Sequence, residues 1–248
     1  MNLDDIKRDF IHFSGYSAEA YDLAIKHLHL VEEANIVTNI TAIQGLKKAI
    51  YLHIYDSLLG LGALSEADEG PLLDLGSGAG YPGIPLAIFS KRKSVLIESS
   101  KKKAEILAGF IGKMGLRDEI EAKPIRAEQE AISNPNGYTA LCARAVGSLV
   151  TLMELASPLL LTGGILIAYK GPKVDEELTA ATSFLSTLGY RLERVENYTI
   201  PKFEAIRNIV VLRKESEATI KLPRADGRAQ KRPLRREGNE QRAKLRYL

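Results

Sequence analysis

The chain has one cysteine, no tryptophan and four histidines in 248 residues, and each scarcity removes a class of function. Cys142 stands alone inside the apolar run ALCARAV, which excludes an intramolecular disulfide framework and a cysteine-cluster zinc site and marks it as a small core residue. His12, His27, His29 and His53 include no pair at catalytic-zinc spacing around a glutamate, so no metal is expected. No apolar run approaches the ~20 residues needed to span a bilayer. The opening MNLDDIKRDF is acidic where a secretory leader would be basic and then apolar, so the expected location is the cytoplasm, with no membrane partner. With aromatic residues at 6%, few platforms exist for stacking bases, and recognition of a nucleic acid would rest on shape and backbone.

Charge is nearly balanced overall but not locally. Residues 221–236, KLPRADGRAQKRPLRR, hold seven Lys or Arg against one Asp, a net of +6 in a chain of net +3, which leaves −3 for everything else. The basic character belongs to the tail, where it suits a polyanion.

The stretch PLLDLGSGAGYPGIPLAIF (71–89) is the most informative. A short apolar run carrying Asp74 meets glycines at alternate positions, Gly76, Gly78 and Gly80, with Ser77 between them, and a second apolar run follows. The spacing predicts strand, tight turn, helix, in which the glycines let the backbone turn with positive φ and approach a ligand closely. A dinucleotide fingerprint needs a small third residue at position 81, which is Tyr81. In the register GxGxG, DLGSGAG instead resembles the first signature of class I S-adenosylmethionine (SAM) methyltransferases.

Around this turn the pattern predicts helices before Gly60, one capped by Ser17 and broken at IVTNIT, another from Leu46 to Leu59, and then a loop. On the second, His53 and Asp56 lie three apart. Strands are expected at Leu72–Leu75, SVLIE ending at Glu98, Ile120–Ile125, Thr139–Ala143, ILIAY after Gly163 and Gly164, Arg191–Tyr198 and IRNIVVLRK, with helices between most of them. Such alternation implies right-handed crossovers and a Rossmann-like, doubly wound seven-stranded sheet, mostly parallel with an antiparallel last strand. The organisation expected is a helical extension (1–65), the sheet domain (66–215) and a basic tail (216–248).

Open parallel sheets bind ligands beyond the carboxyl ends of their strands. That rule selects Glu98, 22 residues after Gly76 and suited to ribose hydroxyls; Arg126, Ala127 and Glu128 after strand three, the last two where an adenine would lie; Arg144; and Lys170. All are expected to line one crevice. Arg144 at a buried strand end needs an anion: a protein carboxylate, the cofactor's carboxylate or RNA phosphate. Strand four lacks both the Asp/Asn-Pro-Pro-aromatic loop of exocyclic-amine methyltransferases and a Pro-Cys nucleophile. The acceptor is therefore a nucleophile needing no covalent help, as a ring nitrogen with a free lone pair would be.

Taken together, NITAI (39–43), HIYDSL (53–58), DLGSGAGYPGIPL, ARAV, the Gly163–Gly164 pair and AYKG resemble, in order, the RsmG (glucose-inhibited division protein B) family. The resemblance implies SAM-dependent methylation of guanine nitrogen-7 in small-subunit ribosomal RNA, free or in an assembling subunit; a monomer is expected. It also implies SAM contacts at Gly76 and Tyr81, at Glu98 for the ribose, at Ala127 and Glu128 near the adenine, and at Arg144 near the acceptor, with Arg144 and Lys170 as positioning groups rather than acid or base. The tail LPRADGRAQKRPL lacks the middle proline of the family's closing segment. A non-catalytic SAM- and RNA-binding assembly factor and an NAD-dependent oxidoreductase are the rival readings.

Overall fold

The computed structural model describes residues 17–235; the expectations for residues 1–16 and for the last part of the tail, 236–248, lie outside them. Helix α1 (Ala18–Val37) starts at Ser17, whose hydroxyl accepts from the Ala20 amide at 3.3 Å, and it continues through Ile36 and Val37. The β-branched IVTNIT stretch therefore breaks the helix later than the sequence predicts. Helix α2 is continuous from Leu46 to Leu58 but is α-helical only at its ends, Leu46–Ala49 and Asp56–Leu58, with a π-helical middle, Ile50–Tyr55. A short helix α3 (Leu61–Ser65) occupies part of the predicted loop. Gly60 precedes it because a side chain there would strike the Tyr169 ring, whose hydroxyl bonds the Ser57 carbonyl at 2.5 Å.

The alternating region follows as β1 (Leu72–Leu75), α4 (Gly83–Ser90), β2 (Ser94–Ile97), α5 (Lys101–Met114), β3 (Ile120–Lys123), α6 (Ala127–Ser133), β4 (Tyr138–Arg144) and α7 (Leu149–Ala156). Then come β5 (Leu160–Lys170), α8 (Val174–Thr182), α9 (Leu185–Leu188), β6 (Tyr190–Ile200), β7 (Ala205–Lys214) and α10 (Arg228–Lys231). The sheet order is β3-β2-β1-β4-β5-β7-β6, parallel from β3 to β5, with β7 antiparallel to both of its neighbours. Two details differ from expectation. β5 begins at Leu160 and takes Gly163 and Gly164 into the strand, and the helix predicted over Asp175–Leu188 is broken at Ser183–Phe184.

Alternation of side chains gives the sheet two buried faces. Leu72, Leu96, Ile165 and Ile167 meet α1–α5, while Leu73, Leu141, Leu166 and Val210 meet α6–α10. Leu28, Ile50, Ile54 and Leu58 of the first two helices belong to the first of these cores, each fully buried aliphatic side chain contributing about 1.5–3 kcal/mol. The N-terminal helices are thus fixed against the sheet, which matters because α2 carries part of the site. At the outer edge, β6 holds a ladder of ion pairs: Arg191 with Glu193 and Glu215, Arg213 with Glu193, and Arg194 with Glu196 and Glu66.

Candidate functional site

The turn after β1 is built on Asp74. This buried carboxylate accepts the Gly83 amide at 3.0 Å, and burial, the dominant effect, raises its pKa from 3.8 to about 6. Gly76 and Gly78 both have positive φ, and a Cβ at Gly78 would meet nothing closer than the Gly76 carbonyl at 4.0 Å, so this part of the turn faces open space. Glu98 follows β2 directly and accepts the Gly78 amide at 3.1 Å and the Ser100 amide at 2.8 Å. Glycine turn and strand-end acid are therefore neighbours, but Glu98 is bonded to backbone amides and lines neither of the two cavities at the strand ends, where the sequence expected it to line the crevice.

Tyr81 does not lie in the open. It is buried, stacked on His53 at 4.2 Å and packed against His27 at 4.6 Å, with the Arg144 guanidinium 5.7 Å from its ring. Its hydroxyl has no hydrogen-bond partner among the described residues. Both histidines are held neutral: burial lowers His27 to about 4 despite its bond to the Ala79 carbonyl, and burial followed by Arg144 and His27 lowers His53 to about 3. Sequence reasoning attached no role to His27.

The single crevice expected at the strand ends is two cavities. The first, narrow at about 60 Å³, is lined by Gly76, Arg126, Ala127, Glu128, Val146 and Gln230, among others. The second, about 470 Å³, lies among His53, Asp56, Arg144, Lys170, Glu177 and Arg207. Residues 144–147 form the wall between them: Val146 faces the first cavity, and Arg144, Ala145 and Gly147 face the second. A larger hollow of about 530 Å³ sits beside the end of α1, away from the strand ends, and touches the second cavity only through Thr41, Ile43 and His53. The strand-end pair is the better candidate because parallel sheets place their ligands there.

Of the three anions considered for Arg144, the structure supplies a protein carboxylate. Its Nη1 donates to Asp56 Oδ2 at 2.7 Å and to the Leu52 carbonyl at 3.2 Å, and its Nη2 lies 3.3 Å from His53 Nδ1. The π-helical turn of α2 delivers Leu52 and His53, and Asp56 follows directly after it. Arg207, at the start of β7, reaches Asp56 Oδ1 at 3.2 Å as an ion pair, although that oxygen receives no aligned hydrogen bond. Lys170 is likewise committed, to Glu177 at 2.8 Å and the Gly147 carbonyl at 2.7 Å, while Glu177 also accepts the Leu149 amide at 2.6 Å. Arg207 and Glu177 went unnoticed in the sequence; Arg207 reaches the site because β7 pairs with β5 and sets Asn208, its neighbour, opposite Lys170.

Glu128 is buried, and its carboxylate accepts the Gly227 amide at 2.8 Å. That partner comes from the tail, which through residue 235 is docked rather than merely solvated. Leu222, Ala229 and Leu234 pack on the second core, and Arg224 forms a two-point pair with buried Glu154, both contacts 2.6 Å.

The family model described as rRNA small subunit methyltransferase G (GidB) matches residues 20–210. Proteins named ribosomal RNA small subunit methyltransferase G resemble the chain closely. The one from Pelotomaculum thermopropionicum is 40% identical over 212 residues, 84% of this chain and 88% of its own length. One from Clostridium botulinum is 34% identical over 236 residues, 94% and 95% of the two. Among solved structures, the [4+2]-cyclase SpnF superposes with a TM-score of 0.50 at 16% identity, covering 64% of this chain and 80% of that one. The Pyrococcus horikoshii protein PH0793 gives the same TM-score at 14% identity, covering 64% and 63%. These two likenesses speak for the fold alone, whereas the family match spans both the glycine turn and the second cavity. The chain belongs to the rRNA small subunit methyltransferase G family.

Proposed function

We propose that the chain transfers a methyl group from SAM to nitrogen-7 of a guanosine in small-subunit ribosomal RNA. One observation carries the geometric side of this reading: residues 144–147 separate a cavity beside the glycine turn from a larger one lined by cations, so two reactants can meet across a single strand end. The residue types present fit the donor, with Gly76, Ala127 and Glu128 along the narrow cavity, open space over Gly78 and Glu98 beside that turn for ribose hydroxyls; at about 60 Å³ the narrow cavity takes only part of such a molecule. When bound, SAM supplies a methyl group already activated on a sulfonium.

What the chain adds is alignment. Nitrogen-7 carries no proton, so no general base is needed, and neutral His53 is not asked to act as one. Holding reacting atoms about 3–3.5 Å apart can supply roughly 7–11 kcal/mol of the barrier. Arg144 and Lys170 are held rigid by Asp56 and Glu177 at the second cavity, and Arg207, which shares Asp56 with Arg144, leaves the cavity's three cations one in excess of its two carboxylates and is the one best placed for a phosphate. Phosphate contact by exposed tail cations supports binding further.

The finer reading is a cytoplasmic monomer with a helical extension, a sheet domain and a basic tail. For the location it rests on a ribosomal substrate made and assembled in the cytoplasm. The test is transfer of labelled methyl from SAM to small-subunit RNA taken from a strain lacking this protein, followed by mapping of the product. One labelled guanosine, cleavable as a nitrogen-7 adduct, is expected; label on any other atom, or none, refutes the assignment.

A further inference from the structure

The tail is usually weighed as an RNA-binding element, yet its docked part contributes a wall to the narrow cavity. Three polar anchors hold it across the mouth: Arg224 on Glu154, the Gly227 amide on Glu128, and Asp226 accepting from the Gln129 side chain at 2.8 Å. Ala229 of α10 is buried against the second core, while Gln230, one residue on, lines the cavity together with Gly76, Ala127 and Val146. At about 60 Å³ the cavity is far below the roughly 300–1,000 Å³ of ordinary ligand sites, so this wall bears directly on anything that enters.

We propose that the docked segment 224–230 is part of the cofactor site and that the Gln230 side chain contacts the adenosine portion of the methyl donor. The inference rests on the reading of this cavity as the SAM site. A side-chain amide both donates and accepts, which suits the donor and acceptor edge of a purine. Glu128 then has a second role: its carboxylate fixes Gly227, and through it α10, over the ligand that its own backbone borders.

The test is calorimetric titration of the full chain with S-adenosylhomocysteine, comparing wild type, Gln230→Ala and Gln230→Glu. Gln230→Ala is expected to weaken binding about five-fold, the loss of one neutral hydrogen bond. Gln230→Glu, which keeps the shape and removes the donors, should weaken it at least as much. Unliganded melting temperatures should match wild type, because Gln230 is exposed and makes no anchor contact. Binding of both variants with wild-type affinity overturns the inference, and so does tighter binding, which would make Gln230 a plug rather than a contact. If wild type itself takes up no S-adenosylhomocysteine, the cofactor reading of the cavity falls first and this inference with it.

Discussion

Asp56→Asn should cost more stability than any exposed change near the site. The carboxylate is 1% exposed and stands between two guanidinium groups, Arg144 at 2.7 Å and Arg207 at 3.2 Å, whose side chains are 19% and 27% exposed. Removing one member of a fully buried pair typically costs about 3–5 kcal/mol. Partial exposure of both arginines and the hydrogen bonding that asparagine retains reduce this to about 2–3 kcal/mol. For a chain of this size that corresponds to a fall of roughly 4–12 °C in melting temperature. Urea unfolding followed by circular dichroism measures it, and a cycle with Arg144→Ala should show coupling above about 1 kcal/mol. A loss within about 0.5 kcal/mol, the range of ordinary surface substitutions, would refute the claim that Asp56 neutralises this corner.

Glu98→Gln removes the charge that collects the Gly78 and Ser100 amides and should weaken S-adenosylhomocysteine binding about ten-fold, read by calorimetry; unchanged affinity would place the ribose elsewhere. Acid should destabilise the fold. His27 and His53, lowered to about 4 and about 3, stay neutral in the folded chain while the unfolded chain takes up protons below pH 6.5. Their stabilisation is complete above that pH and is lost as pH falls, by up to about 1.4 kcal/mol per pH unit for each. Asp74, raised to about 6, binds its proton more readily when folded and so offsets one of them from pH 6 down to 3.8, leaving a net loss of about 1.4 kcal/mol per pH unit between pH 6 and pH 4. Urea midpoints at pH 7, 6 and 5 test this, and a flat profile contradicts the burial argument. Arg228→Gln and Lys231→Gln, both on exposed tail cations, should each lower the salt slope of RNA binding by about 0.7–0.9, measured by filter binding. Slopes equal to wild type would remove those cations from the interface.

Local signals carried most of the fold. Ser17 caps the helix that its sequence context predicts, with its hydroxyl accepting from Ala20, and the apolar runs became strands in the expected order. The placing of Glu98 beside the glycine turn was legible too, through spacing along one βαβ unit, but its bond to the Gly78 amide was not. Partners set by distant packing were not. Arg144 meets Asp56 across 88 residues, Glu128 meets Gly227 across 99, and no window of sequence contains either pair. The π-helical turn in α2 was equally hidden, since nothing in IYLHIY (50–55) sets it apart from an ordinary helical turn. Lys170 shows the limit from the other side: its place at the strand end followed from the pattern, but its pairing with Glu177 depends on how α8 returns over the sheet.

The ion-pair ladder on β6 has a consequence for how copies of this chain behave at high concentration. A foreign strand adding to that border would have to set its backbone amides against Arg191, Glu193, Arg194 and Glu196, each already engaged within its own sheet. Breaking such contacts to seat an intruder is unfavourable, so sheet-to-sheet aggregation is discouraged along this rim without any covering helix.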